Sequence, residues 1–117
     1  MRKIVVSYLL LICMLANSAK KTEFVITDFG AKADGKTLNT IAIQKTIDAA
    51  AKVGGTIIIP AGDFVSGTVF LKSNTVFHLS PKARLIGSSQ LKDYVTMTWG
   101  HHEDRTPWHF IVAKDQE

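Results

Sequence analysis

The densest cluster of chemically active side chains lies in the segment WGHHEDRTPWHF, residues 99–110, with three histidines, two acids, one arginine and two tryptophans. A tryptophan offers a flat face on which a sugar ring can stack, and an arginine or a histidine can pair with a carboxylate. We consider two interpretations, a plain surface loop and a loop that contacts an acidic sugar. The candidate substrate-contacting residues are Trp99, His102, Arg105 and Trp108.

The same segment raises the question of a metal site, because His101, His102 and His109 are close in sequence. Adjacent residues on an extended segment point to opposite sides, so the spacing is poor for a shared ion. We therefore predict no metal and no cofactor, and we assign no residue a catalytic role.

A second candidate is GAKADGKT at residues 30–37, which matches the pattern of a phosphate-binding loop between a strand and a helix. The strand after that helix ends at Pro60, where an acid should hold magnesium. Asp34 would also place a carboxylate beside the phosphates, and the helix starts about three residues too late to face an anion. We predict that Lys36 and Thr37 are turn and pre-helix residues and that no nucleotide binds.

The N-terminus has the features of a secretory signal peptide over residues 1–19. A basic start precedes the apolar run Ile4–Ala16, which is shorter than the ~20 residues of a membrane span. Small residues then allow cleavage near Ser18 or Ala19. Removal of this segment lowers the formal charge from +4 to about +2 and removes the single cysteine. We expect a secreted or periplasmic chain without a membrane span, without disulfides and without nucleic acid as a partner.

One amphipathic helix is predicted, capped by Asn39 or Thr40 and running to about Val53, where Gly54-Gly55 stops it. Its apolar stripe consists of Ile43, Ile47, Ala50 and Ala51. Its solvent face consists of Gln44, Lys45, Asp48 and Lys52, of which Asp48 and Lys52 form a favourable i,i+4 pair.

Short strands are predicted around this helix, at residues 24–27, 56–59, 68–71, 75–79, 84–86 and 110–113. Between residues 56 and 86 no second helix separates the strands, so the spacing indicates a β-sandwich, a barrel or a solenoid. In the strand 75–79, Phe77 and Leu79 share the predicted core face, while His78 points outward as an ordinary exposed residue.

A series of short motifs makes residues 24–94 resemble the N-terminal part of the polygalacturonase family of glycoside hydrolases, within the pectate-lyase-like β-helices. The matching motifs are Asp28-Phe29-Gly30-Ala31, Asp34-Gly35-Lys36-Thr37, Asn39-Thr40, Ala42-Ile43-Gln44, Ile47-Asp48, Gly54-Gly55, Pro60-Ala61-Gly62 and Leu71-Lys72-Ser73-Asn74. The resemblance implies a mainly β fold, a right-handed parallel β-helix (solenoid), with one amphipathic helix that covers its open N-terminal end.

The resemblance also implies hydrolysis of galacturonate-containing polysaccharide with inversion, which needs two carboxyl groups about 6.5–9.5 Å apart. The family's Asn-Thr-Asp, Asp-Asp, His-Gly and Arg-Ile-Lys motifs are absent from this sequence. We therefore expect residues 20–117 to form the N-terminal cap and first coils of an incomplete β-helix, inactive alone. Two alternatives remain open: a non-catalytic β-helix for glycan binding or adhesion, and a polysaccharide lyase of the same fold.

Overall fold

The structure is a computed structural model that describes residues 22–96 and 109–113. Within these residues the elements in chain order are β1 (Glu23–Val25), β2 (Asp34–Leu38), α1 (Thr40–Ala51), β3 (Thr56–Ile59), β4 (Gly62–Ser66), β5 (Val69–Leu71), β6 (Val76–Leu79), β7 (Ala83–Gly87) and β8 (Ile111–Ala113). Short 3₁₀ turns occupy Ile26–Phe29 and Leu91–Asp93. The described part of the chain is thus mainly β with one α-helix, as predicted.

The described strands form three separate sheets in which every pair is parallel. The strand orders are β1-β3-β6, β2-β4-β7 and β5-β8. Consecutive strands therefore enter different sheets: β3, β4 and β5 contribute one strand to each, and β6, β7 and β8 repeat that order. Parallel neighbours cannot be joined by a tight hairpin, so the chain passes through at least one other sheet between the two strands of every described pair.

The core lies between the three sheets and is built from the inward residue of each strand. Ile57 and Ile59 of β3, Phe64 of β4 and Val69 of β5 are all fully buried. Because side chains alternate along a strand, these residues come from one face of each sheet. Burying each such side chain stabilises the fold by about 1.5–3 kcal/mol.

Helix α1 closes one end of this core. Its residues Ile43, Ile47 and Ala50 are fully buried and belong to the same cluster as Ile26, which confirms the predicted apolar stripe. Within the described part of the chain no helix is long and apolar enough to cross a membrane. The packing of α1 against the core is therefore observed, while its role as the cap of a solenoid stays a prediction.

The two glycines after α1 serve different purposes. Gly54 has φ +68°, a conformation that residues with a side chain rarely adopt, and it ends the helix as predicted. Gly55 packs against the ring of Phe24, where an added Cβ would lie 2.6 Å from a ring carbon. A substitution at either position would disturb the entry into β3.

Gln44 was predicted to face solvent, but its side chain binds a strand. Its Oε1 accepts a hydrogen bond from the Phe70 amide at 2.8 Å, and its Nε2 donates to the Phe70 carbonyl oxygen at 3.1 Å. The opposite edge of β5 pairs with β8 through the Val69 amide. The Gln44 amide therefore occupies the place that a neighbouring strand would take, which the helical pattern alone did not reveal.

The acid of the i,i+4 pair predicted within α1 makes its closest contact outside the helix. Asp48 pairs with Lys72 at 2.8 Å, with Lys52 at longer range. This contact, with the hydrogen bond from Gln44, holds the pKa of the Asp48 carboxyl below its usual value. The favourable Asp48–Lys52 interaction predicted from the helical spacing is therefore present, but Lys72 is the closer partner, which sequence spacing within one helix could not reveal.

Two strands were missed, and one predicted core residue is exposed. Residues 34–38 were predicted as a turn followed by the residues that lead into the helix. They form β2 instead, and all of its residues are exposed. Strand β4 begins at Gly62, which was predicted to be part of a break. On β6, Phe77 packs on the core and His78 is exposed as predicted, but Leu79 is 49% exposed. Among the described residues β6 pairs only with β3, so nothing there covers Leu79.

Candidate substrate-contacting site

The predicted substrate-contacting residues Trp99, His102, Arg105 and Trp108 lie outside the described residues, as does His101 of the rejected metal hypothesis. Their role stays a prediction. His109 is described and half-buried. These residues belong to the connection from β7 to β8. The structure describes the two ends of this connection, residues 88–96 and 109–110.

One threonine joins the two ends of this connection. The hydroxyl of Thr68 accepts a hydrogen bond from the Val95 amide at 2.9 Å and donates one to the His109 carbonyl oxygen at 2.5 Å. Thr68 is only 3% exposed, so its hydroxyl is buried, while each of the two bonds as a whole is partly buried. The Val69 amide also donates to the Phe110 carbonyl oxygen at 3.0 Å. We call these residues, Thr68, Val69, Val95, His109 and Phe110, the loop base.

A compact turn leads from β7 into the loop base. The Ser88 hydroxyl donates to the Asp93 carboxylate and accepts from the Gln90 amide, and the Tyr94 hydroxyl donates to the Ser88 carbonyl oxygen at 2.6 Å. Gly67 approaches this turn so closely that an added Cβ would lie 1.9 Å from the Asp93 carbonyl oxygen. The route of the chain into the connection is therefore fixed by packing as well as by hydrogen bonds.

The segment that matches a phosphate-binding loop has its amides directed at its own carboxylate. Asp34 accepts hydrogen bonds from the Lys36 amide at 2.9 Å, the Thr37 amide at 2.8 Å and the Thr37 hydroxyl at 2.5 Å. The hydroxyl of Thr37, followed by these amides, lowers the pKa of Asp34 to about 2. Donors that would bind a phosphate are thus already bound to an anion.

Three further carboxylates, those of Asp48, Asp63 and Asp93, are likewise bound to neighbours. Asp63 pairs with the Arg84 Nε at 3.2 Å on the outer face of the second sheet, where the two residues are in register. Asp48 is held by Lys72, and Asp93 by Ser88. With Asp34, each of these four carboxylates therefore has a neighbouring side-chain partner.

The loop base could not have been predicted from the sequence. Thr68 and His109 are 41 residues apart, and no local pattern marks a buried hydroxyl as a bridge between two chain segments. The composition of residues 99–110 suggested a ligand contact, which stays a prediction, whereas the residue that joins the two ends of this connection, Thr68, directly precedes β5.

Comparison with known proteins places these features in a family. A family model described as rhamnogalacturonase A/epimerase, pectate lyase-like, matches residues 24–92. This match covers β1 to β7 together with α1. It agrees with the resemblance that the sequence motifs indicated.

Individual relatives agree. An exo-poly-alpha-D-galacturonosidase of Dickeya chrysanthemi is 51% identical over 69 residues, which is 59% of this chain and 11% of that protein. Alginate lyase 7 of Azotobacter vinelandii is 46% identical over 61 residues, or 44% of this chain and 7% of that protein. The solved structure of the Yersinia enterocolitica family 28 exopolygalacturonase superposes with a TM-score of 0.72 and 40% identity.

This superposition covers 83% of the present chain and 17% of the Yersinia enzyme. The chain therefore spans only a small part of the length of the relatives it matches. The family match extends over more than half of the chain and coincides with the three-sheet arrangement. The chain belongs to the rhamnogalacturonase A/epimerase, pectate lyase-like family.

Proposed function

We propose that this chain is the N-terminal portion of a secreted glycoside hydrolase that acts on pectin-type, galacturonate-containing polysaccharide. The observation that carries the proposal is the 51% identity to an exo-poly-alpha-D-galacturonosidase. Identity at this level over 69 residues favours a shared role for the segment within a larger enzyme.

In this proposal residues 1–19 are a signal peptide, and residues 20–117 form the cap and first coils of a right-handed parallel β-helix. The repeated entry of consecutive strands into three parallel sheets supports a solenoid. The exposure of Leu79, in register with the buried Ile59, supports the addition of a further coil at β6. In material from the native host we expect mass spectrometry to find cleavage near Ser18 or Ala19; an intact Met1 on exported protein would count against it.

The reaction itself is assigned to residues outside this segment. The four carboxylates Asp34, Asp48, Asp63 and Asp93 are bound to neighbours, and the family's catalytic motifs are absent from the sequence. The contribution of this chain to substrate binding is proposed for Trp99, His102, Arg105 and Trp108, which would contact the polysaccharide at the rim of the cleft. No cofactor or metal enters this proposal.

A graft tests whether the segment is equivalent to the start of a galacturonosidase. Residues 24–92 would replace the matching stretch of the Dickeya enzyme, and release of galacturonate from polygalacturonate would be measured. We expect a soluble chimera with activity within about tenfold of the parent, because the packing surface of the segment would be retained. As a matched control, Ile57→Asp in the graft places a charge in the core and should abolish folding.

An inactive chimera that is nevertheless folded would contradict the proposal. The lyase alternative is favoured by the similarity to alginate lyase 7. The same graft into that lyase, assayed for unsaturated products from alginate, provides the comparison. An active lyase chimera together with an inactive galacturonosidase chimera would favour the lyase alternative. Binding of oligogalacturonate without rescue of either enzyme would favour the non-catalytic binding module.

A further inference from the structure

Three segments that are separated in sequence meet around the loop base. They comprise residues 67–69, 93–95 and 109–110. The Thr68 hydroxyl is the group that touches two of them at once. In addition, the Thr68 amide points to the Asp93 carbonyl oxygen at 3.4 Å. One side chain therefore contacts the chain where it leaves for the β7–β8 connection and where it returns.

The geometry uses both functions of a hydroxyl group. A hydroxyl can donate one hydrogen bond and accept others, so a single oxygen can satisfy an amide and a carbonyl on different segments. Thr68 is 3% exposed and both of its bonds are partly buried, so loss of the hydroxyl would leave the Val95 amide and the His109 carbonyl without this partner. Valine has the same shape but neither function.

We infer that Thr68 is the positioning residue of the β7–β8 connection, fixing its two ends against each other and against β5. The contact from Gly67 to the Asp93 carbonyl oxygen supports this, because the glycine lets the departing segment approach Thr68 closely. If the connection contacts galacturonate, as the proposed function states, Thr68 also determines how that contact is presented.

Amide hydrogen exchange on the full chain tests this inference. Thr68→Val should speed exchange of the Val95 amide about tenfold, because the hydrogen bond to the hydroxyl is lost. Thr68→Ser keeps the hydroxyl and should stay within about twofold of the unmodified chain. Thr75→Val is the matched control, since the Thr75 hydroxyl binds only the nearby Lys72 carbonyl oxygen, and it should leave Val95 unchanged.

Gly67→Ala gives an independent variant in case Thr68→Val does not fold. It keeps the hydroxyl but pushes the Asp93 segment away, so the Val95 amide should exchange faster while amides of β3 keep their protection. Unchanged Val95 exchange in both Thr68→Val and Gly67→Ala would overturn the inference. So would a Thr68→Ser chain that behaves like Thr68→Val.

A binding measurement distinguishes failure of this inference from failure of the proposed function. Only the expected contact with galacturonate rests on the proposed function. Trigalacturonate is titrated against the unmodified chain, Thr68→Val and Thr68→Ser. We expect weaker binding for valine only. Faster Val95 exchange without any change in affinity supports the positioning role and overturns the ligand contact. Loss of affinity without a change in Val95 exchange overturns the positioning role.

Discussion

The Asp34 carboxylate accepts three hydrogen bonds. One comes from the Lys36 amide, and two come from the amide and the hydroxyl of Thr37. A phosphate-binding loop needs its backbone amides free to bind an anion, and here the anion is the chain's own carboxylate. The glycines at 30 and 35, with φ of 101° and 66°, shape the path of the chain around this carboxylate. The amides of Lys36 and Thr37 are therefore not free to bind a phosphate, and the absence of nucleotide binding stays a prediction.

The low pKa of Asp34 gives a prediction at a single residue. Thr37→Val removes the hydroxyl that contributes most to the shift, so the pKa should rise from about 2 toward 3.8. Because the folded pKa is depressed, the stabilisation by this carboxylate is present above pH 3.8 and is lost as the pH falls toward 2. The variant should lose part of that acid dependence.

NMR titration of the Asp34 carboxyl carbon measures this pKa directly. Thr75→Val, which removes a threonine hydroxyl elsewhere, should leave the Asp34 titration unchanged. A Thr37→Val chain with its Asp34 pKa still near 2 would show that the amides alone account for the shift.

Gln44 gives the second prediction at this scale. Gln44→Leu removes both hydrogen bonds to the Phe70 backbone and should lower the free energy of unfolding by about 1–3 kcal/mol. Urea unfolding followed by circular dichroism measures the change. Lys45→Leu is the control, because Lys45 is the next residue of α1 and its side chain is exposed. It should change the free energy of unfolding by less than about 0.5 kcal/mol. Equal effects of the two substitutions would rule out a specific role of Gln44 at the β5 edge.

At the scale of elements, the sequence allowed prediction of those parts whose pattern is local. Helix α1 was predicted from its apolar period, and β3, β5, β6, β7 and β8 from short β-branched and aromatic runs between breaks. Strand β2 was missed because DGKTL is polar and exposed throughout and reads as a turn. Strand β4 was missed because its alternation, Phe64 and Ser66 inward with Asp63 and Val65 outward, starts directly at a glycine.

The candidate substrate-contacting residues stay a prediction, and the contacts around them could not be predicted, for a related reason. Composition marks residues 99–110 because aromatic, basic and acidic side chains are concentrated there. Contacts such as Thr68 with His109, or Asp48 with Lys72, join residues from different turns of the chain. Such contacts depend on the register between parallel strands, and register follows from the packing of the whole fold.

The missed strand β4 supplies the prediction at the scale of elements. Phe64→Ala leaves a cavity at a fully buried position and should cost about 3–5 kcal/mol, enough to unfold a small domain. Val65→Ala, on the outward and half-buried side of the same strand, should cost much less. Thermal melts of both variants make the comparison. Similar losses at the two positions would contradict the inward direction of Phe64.

At the scale of the whole molecule, apolar side chains remain exposed at the end of the sheets opposite α1. Leu79 is 49% exposed and Ile111 is 44% exposed, in register with the buried Ile59 and Val69. Strand edges with exposed apolar residues associate with other chains. We predict that residues 20–117 alone release no reducing sugar from polygalacturonate and self-associate at micromolar concentration.

Size-exclusion chromatography with light scattering tests the association. The double substitution Leu79→Lys and Ile111→Lys should shift the chain toward monomer, since charged residues protect a strand edge. Leu91→Lys is the control, because Leu91 is also exposed but lies in a 3₁₀ turn outside the strands. A monomeric unmodified chain with a cooperative melt, or robust hydrolysis, would contradict this prediction.

The parallel register has a consequence for how the chain reaches its structure. Thr56 pairs with Val76 and Glu23 with Thr56, so no described strand pair forms between sequence neighbours. Even the contact of α1 with β5 joins residues 26 positions apart. Topologies dominated by such distant contacts have a high contact order and fold slowly, because the entropy of loop closure is lost before any pair forms. During translation α1 is only marginally stable until the strands bury its apolar face. Strand β3 gains its partner β6 only after a further full turn has been synthesised, which leaves the nascent sheet edges exposed to chaperones in the meantime.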